Sequence, residues 1–183
     1  MSRREDALLH RLADGEFRSG EALATELGVS RAAVWKLVRA WQARGLDIHA
    51  VRGRGYRLAR PLELLDAAGI LAQLDPAANS RIGPLEVLAS ADSTNTRLAQ
   101  QARFGLPAGA ACLAECQTAG RGRLGRRWVS PYAANLYLSV LWRFALPPGG
   151  LAGLSLAVGV AVARALERLG VAGLGLKWPN DVL

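Results

Sequence analysis

Residues 23–38 read LATELGVSRAAVWKLV, and this stretch decides the fold of the first third of the chain. Ala24 stands four residues before Gly28, and Val34 six after it. A helix-turn-helix needs this pattern. A small residue lets two helices approach, glycine takes the left-handed turn conformation, and an apolar plug fills the angle between the helices. Ser19 and Ser30 are N-cap candidates for the two helices. The second helix buries Ala33, Val34, Leu37, Val38 and Trp41 and exposes Ser30, Arg31, Ala32, Trp35, Lys36 and Arg39. A polar and basic N-terminal half is what a helix entering the major groove of DNA requires.

On the N-terminal side, Ala7, Leu8, Leu12 and Ala13 predict a preceding helix stopped by Gly15. On the C-terminal side, LDIHAVRGRGYRLA alternates apolar and polar residues, with GRG as a tight turn. This predicts a hairpin wing whose Arg52, Arg54 and Arg57 face the phosphate backbone. Residues 1–60 therefore read as a winged helix. They hold 12 Lys and Arg against 7 Asp and Glu, a net of +5, out of +8 for the chain. The balance excludes an acidic calcium buffer and suits a polyanion partner.

The boundary falls near Pro61, leaving 61–183 as a second domain. LELLDAAGILAQL predicts a helix and DPAANSRIGP a loop. Strands are expected at 85–88, 110–117, 135–142 and 174–178, with helices starting at Ser93 and running from 154 to 169. Leu136, Leu138, Val140 and Trp142 alternate on one face. The fold class is α+β with a mixed sheet. The uncharged stretch from Ala145 to Ala163 is broken by Pro147, Pro148, Gly149 and Gly150. About 13 apolar residues remain, short of the ~20 needed to span a membrane, so a cytoplasmic protein without a membrane partner is expected.

Three clusters in the second domain carry chemistry. The first is Gly120-Arg-Gly-Arg-Leu-Gly-Arg126. Its formal GxGxxG fails as a dinucleotide site, because no helix and no ribose-binding acid follow. Glycines interleaved with Arg121, Arg123 and Arg126 instead suit an anion loop, with forked donors for phosphate or carboxylate. The plainer reading is a basic surface loop. The second is LKWPND, where Lys177 is the only lysine after Lys36. It is placed to neutralise charge developing on a carboxylate and a phosphate, and Asn180 and Asp181 to position a ligand or Mg2+. The plainer reading is an edge-strand lysine beside a capping turn. The third is Asp92-Ser-Thr-Asn95, a helix cap or a set of polar groups for a small head group. Cys112 and Cys116, with only two histidines in the chain, build no protein-only metal site and read as core thiols.

The order winged helix, DSTN, AECQTAGRGRLGRRWVSPYAANLYLSVLWR and KWPND resembles the bacterial bifunctional biotin–protein ligases that repress the biotin operon. The resemblance runs from about Phe17 to Leu183 and implies a class II synthetase-like, mixed-sheet ligase domain. It implies biotin and MgATP as substrates, biotinyl-5′-AMP as intermediate, and a lysine of a biotin carboxyl carrier domain as acceptor. It assigns Ser93, Thr94, Asn95, Gln117, Arg121, Gly122, Arg123 and Lys177 to biotin, with Lys177 and Arg123 catalytic. Gly120, Gly125, Arg126 and Trp128 fall in the loop over the adenylate, and Asn180 and Asp181 near ATP and Mg2+. Its helix-turn-helix matches Gly20 to Arg39, and the helix and wing readings above make Ser30, Arg31, Ala32, Trp35, Lys36, Arg39, Arg52 and Arg54 the DNA-binding set. A biotin operator and an adenylate-bound homodimer complete the implied partners. In that family the catalytic domain continues past KWPND with a Gly-Lys-Leu-Gly-Gly-like run and an SH3-like domain. By this resemblance the second domain here is its N-terminal portion, with Leu183 expected inside a core. The other expectation is a DNA-binding, biotin-responsive regulator or an inactive fragment, in either case without ligase activity.

Overall fold

A computed structural model describes residues 2–126 and 128–183. One compact unit runs to Trp142 and a second spans Arg143–Leu183. The first begins with three helices, α1 (Arg3–Leu12), α2 (Gly20–Leu27) and α3 (Arg31–Ala43). Ser2 and Glu5 close a capping box on α1, and the Ser19 and Ser30 hydroxyls accept the amides of Ala22 and Ala33. The Ser19 and Ser30 caps are those the sequence predicts, because a hydroxyl satisfies an amide the helix leaves free. Gly28 ends α2 at φ 61°, and Val34 is fully buried beside Ala24. Strands β1 (Ile48–Val51) and β2 (Gly55–Leu58) pair antiparallel as the wing.

The winged helix does not end its core at Pro61. Its fully buried Leu8, Leu9, Leu12, Val34 and Trp41 form one cluster with Tyr132. The Trp41 and Tyr132 rings meet edge to face at 4.6 Å. The Leu62 amide donates to the Ala13 carbonyl, and the Leu65 amide to the buried Glu115 carboxylate. Burial pushes the Glu115 carboxyl above its ordinary pKa, and the Leu65 amide only partly offsets this. Leu62 and Leu64 pack on the winged-helix core outside any helix or strand. For that reason the helix expected from 62 shortens to α4 (Ala67–Ala72), capped by Asp66. The expected loop after it contains α5 (Pro76–Asn79), which Asp75 caps and Pro76 starts.

Strands β3 (Leu85–Leu88), β4 (Ala111–Ala114) and β5 (Tyr137–Val140) form a mixed sheet in that order. β3 and β4 are parallel, joined through α6 (Thr94–Ala102), and β5 runs antiparallel to β4. β4 is buried throughout, and burial pushes the Cys112 thiol up to about 11. The alternating row on β5 is exposed, from 48% at Leu138 to 65% at Leu136.

The second unit holds α7 (Leu154–Arg168) and a two-residue-strand hairpin, β6 (Leu176–Lys177) and β7 (Asp181–Val182). The strand expected over 174–178 is this short because Pro179 offers no amide to a ladder. Gly170 follows α7 at φ 87°, the left-handed conformation in which a glycine ends a helix. The helical run Gly149–Arg168 is long and apolar enough by length and composition to cross a membrane, longer than the sequence reading allowed. A 3-10 turn at Pro148–Leu151 extends it beyond its 15-residue α-helical part. Leu183, expected inside a core, is 69% exposed.

Candidate functional site

The site grows from two chain segments that the parallel β3–β4 pairing carries forward together. Beyond the strands, the Ala91 amide donates to the Cys116 carbonyl, and the Thr118 and Ala119 amides return to Ala91 and Asp92. This brings Ser93 and Thr94 beside Gln117. Gln117 Oε1 accepts the Thr94 amide at 2.9 Å and the Thr94 hydroxyl at 3.2 Å. The same hydroxyl lies 2.8 Å from Ser139 Oγ on β5. Ser93 and Thr94 are buried, at 5% and 3% exposure, while Asn95 is exposed. The Ser93 hydroxyl caps α6 by accepting the Thr96 amide, so the bland cap reading holds for that residue.

Ser93, Thr94, Asn95, Gln117, Arg121 and Trp128 line one cavity of about 220 Å3, with Ser139 at its β5 side. Among the described residues Arg121 is the one charged group of its lining, so the cavity favours an anionic or strongly polar ligand. Gly122, Arg123, Gly125 and Arg126 stand in the adjoining turn, outside that lining. The three glycines there play different parts. Only Gly125 has a positive φ, 73°, and Leu124 takes a left-handed φ of 58° itself. Gly120 is needed for close approach. A Cβ there would lie 3.1–3.3 Å from Gln117 Nε2, Trp128 Cδ1 and Ser130 Oγ. The Gly122 amide donates to the Arg126 carbonyl, so the turn ties itself shut and keeps the Arg123 and Arg126 side chains exposed.

Lys177, Trp178, Asn180 and Asp181 lie in the second unit. There they line a cavity of about 630 Å3 between α7 and the β6–β7 hairpin. Lys177 pairs across the hairpin with Asp181, and Asn180 Nδ2 donates to Asp181 Oδ1 at 2.9 Å. Lys177 is exposed, and so are Leu176 and Trp178 beside it.

A separate basic surface lies on the winged helix. Arg31 and Ala32 from α3 and Arg52 and Arg54 from the wing line one concavity of about 580 Å3. Ser30, Trp35, Lys36 and Arg39 are exposed along α3, with the Arg39 guanidinium 5.8 Å from the Trp35 ring centre. The sequence reading missed Phe17. Arg54 and Arg57 hold their guanidinium groups 4.0 and 4.9 Å from its ring, which sets the wing arginines in place by cation–π contact. An aromatic two residues before the Ser19 cap was the available signal. Ser139 was missed too, because a lone serine in LYLSVLW reads as an incidental polar residue of a strand.

The model of the biotin/lipoate A/B protein ligase family matches residues 87–183. The chain belongs to this family. A helix-turn-helix domain model matches residues 3–57. The chain is 48% identical over 176 residues to the "Bifunctional ligase/repressor BirA" of Salmonella typhimurium and 47% identical to that of Escherichia coli. Each alignment covers 96% of this chain and 52% of the relative, so the chain spans about half the length of the curated relatives it matches. A "Biotin--[acetyl-CoA-carboxylase] ligase" of Mycobacterium tuberculosis is 44% identical over 104 residues, 54% of this chain and 39% of that protein. Among solved structures, the biotin protein ligase from Aquifex aeolicus in complex with biotin and ATP is 39% identical. It covers 55% of this chain and 41% of its own, with a TM-score of 0.46.

Proposed function

We propose that this chain carries the DNA-binding part and the first catalytic part of an ATP-dependent biotin–protein ligase that also represses transcription at a biotin operator. The observation that carries the ligase reading is the single cavity that gathers Ser93, Thr94, Asn95, Gln117, Arg121 and Trp128 next to the glycine–arginine turn. In this reading the polar groups of Ser93–Asn95 and Gln117 hold the ureido ring of biotin. Arg121 and Arg123 neutralise the biotin carboxylate and the α-phosphate while Gly120 to Arg126 close over them. A biotin carboxylate oxygen attacks the α-phosphorus of ATP, the bond to the β-phosphate oxygen breaks, and pyrophosphate leaves. The ε-amine of a carrier-domain lysine then attacks the acyl carbon, AMP departs, and the amine loses a proton. Lys177 stabilises the charge on the reacting phosphate. Asp181 offers one carboxylate and Asn180 one amide oxygen. This donor set suits a magnesium ion arriving with ATP rather than one held by protein alone. The assigned partners are operator DNA, a biotin carboxyl carrier protein and, once adenylate is bound, a second copy of the protein. The assigned compartment is the cytoplasm, and the domain boundary lies near residue 61.

Biotin-dependent exchange between pyrophosphate and ATP tests the first step, and labelling of a carrier domain tests the second. Arg123→Gly is expected to release the adenylate early and label bystander proteins. Unchanged adenylate retention in that variant removes Arg123 from the loop's function. The exposure of Lys177 favours one other reading, a regulator that binds DNA without ligating. Operator binding without exchange or labelling selects it.

A further inference from the structure

Ser139 lies outside the residues that the resemblance assigns to biotin. It stands on β5 opposite Cys112, half-buried, and lines the same cavity as Thr94 and Gln117. Hydrogen counting fixes the direction of the contacts around it. Gln117 Oε1 accepts the Thr94 amide at 2.9 Å, which identifies that atom as the amide oxygen. An amide oxygen only accepts, so the Thr94 hydroxyl, 3.2 Å away, commits its proton there. Thr94 Oγ1 then has lone pairs alone for Ser139 Oγ at 2.8 Å, and Ser139 is the donor. The relay runs from Ser139 to Thr94 to Gln117.

Two consequences reach the cavity. With its proton committed, Ser139 Oγ is purely an acceptor toward any ligand. With its oxygen twice occupied, Gln117 keeps Nε2, two N–H donors beside Gly120, for the same purpose. We propose that Ser139 is a positioning and specificity-determining residue. It locks an acceptor on β5 and a donor on Gln117 in the polarity that a cyclic urea, with ring N–H groups and one carbonyl, requires. The proposal rests on the ligase reading of this cavity.

The test compares the full chain with Ser139→Ala and Ser139→Thr, using biotin and MgATP as separate titrants in calorimetry. Ser139→Ala is expected to weaken biotin about tenfold, the size of one lost hydrogen bond, while Ser139→Thr stays within about threefold. MgATP affinity is expected to be equal in all three proteins. Biotin affinity unchanged in Ser139→Ala, or lost equally in Ser139→Thr, overturns the proposal. A second readout needs no ligand, namely the Gln117 side-chain amide in nitrogen–proton correlation spectra. It is expected to shift in Ser139→Ala and to keep its position in Ser139→Thr, and an unshifted amide in Ser139→Ala overturns the relay. Failure of the unmutated chain to bind biotin counts against the ligase reading, and the amide readout then still decides the relay.

Discussion

At the scale of the residue, glycines with positive φ separate two costs that sequence alone merges. Gly28 turns at φ 61° with open space where a Cβ would go. Gly28→Ala is therefore expected to cost only the left-handed strain, about 1–2 kcal/mol in denaturant unfolding. Gly55 sits at φ 102°, and an added Cβ would overlap the Arg18 carbonyl oxygen. That carbonyl accepts the Tyr56 amide at 2.9 Å and holds the wing in place. Gly55→Ala is expected to cost clearly more than Gly28→Ala and to weaken binding to any duplex DNA through the displaced wing. Equal melting shifts for the two variants contradict this. Ser30, Arg31 and Gly28 were legible because caps and turns act over a few residues. Phe17 and Ser139 were not, because their roles depend on partners 37 to 45 positions away along the chain.

Elements obey local signals until tertiary packing offers a better place for their apolar residues. The run LELLDAAGILAQL has helical spacing, yet its first leucines pack on the winged-helix core outside any helix and α4 starts only after Asp66. The row Leu136, Leu138, Val140 and Trp142 was legible as one face of a strand. Periodicity says which residues share a face and not what covers it, and here that face is exposed. The β3–α6 pair shows how an element is fastened. Arg97 on α6 donates through Nε and Nη2 to both Glu86 oxygens, at 3.1 and 2.6 Å. The guanidinium holds the Glu86 carboxyl below its ordinary 4.5. A lowered pKa in the fold means that this stability is present above the unfolded value and lost as pH falls through the folded one. Wild type is expected to exceed Glu86→Gln in melting temperature at pH 7, and the gap is expected to close as pH falls below the ordinary carboxyl range. A gap that persists in acid rules out the ion pair as its source.

In the whole molecule, the winged helix and the segment following the arginine turn share one core, and Tyr132 is where they join. Its ring packs edge-on against Trp41, whose indole N–H donates to the Glu5 carbonyl at 2.9 Å. Arg44 lies 4.9 Å from the Trp41 ring centre and pairs with Glu5 at 2.8 Å. The charged and aromatic groups of α1 and α3 thus brace the face that receives Tyr132. The Tyr132 hydroxyl itself is buried without a partner among the described residues, so the ring carries the contact and the oxygen does not. Tyr132→Phe is therefore expected to leave stability unchanged or slightly raised. Tyr132→Ala opens a cavity beneath Trp41 and is expected to cost about 3–5 kcal/mol. It is also expected to split unfolding into two steps, because the winged helix loses its shared core with the segments around Cys116 and Ala133. Denaturant unfolding followed by tryptophan fluorescence and by far-ultraviolet circular dichroism decides this. Coincident curves in wild type and separated curves in Tyr132→Ala are expected. Coincident curves in both would mean that the connecting segment, through the Leu62 and Leu65 amides, holds the two parts together without Tyr132.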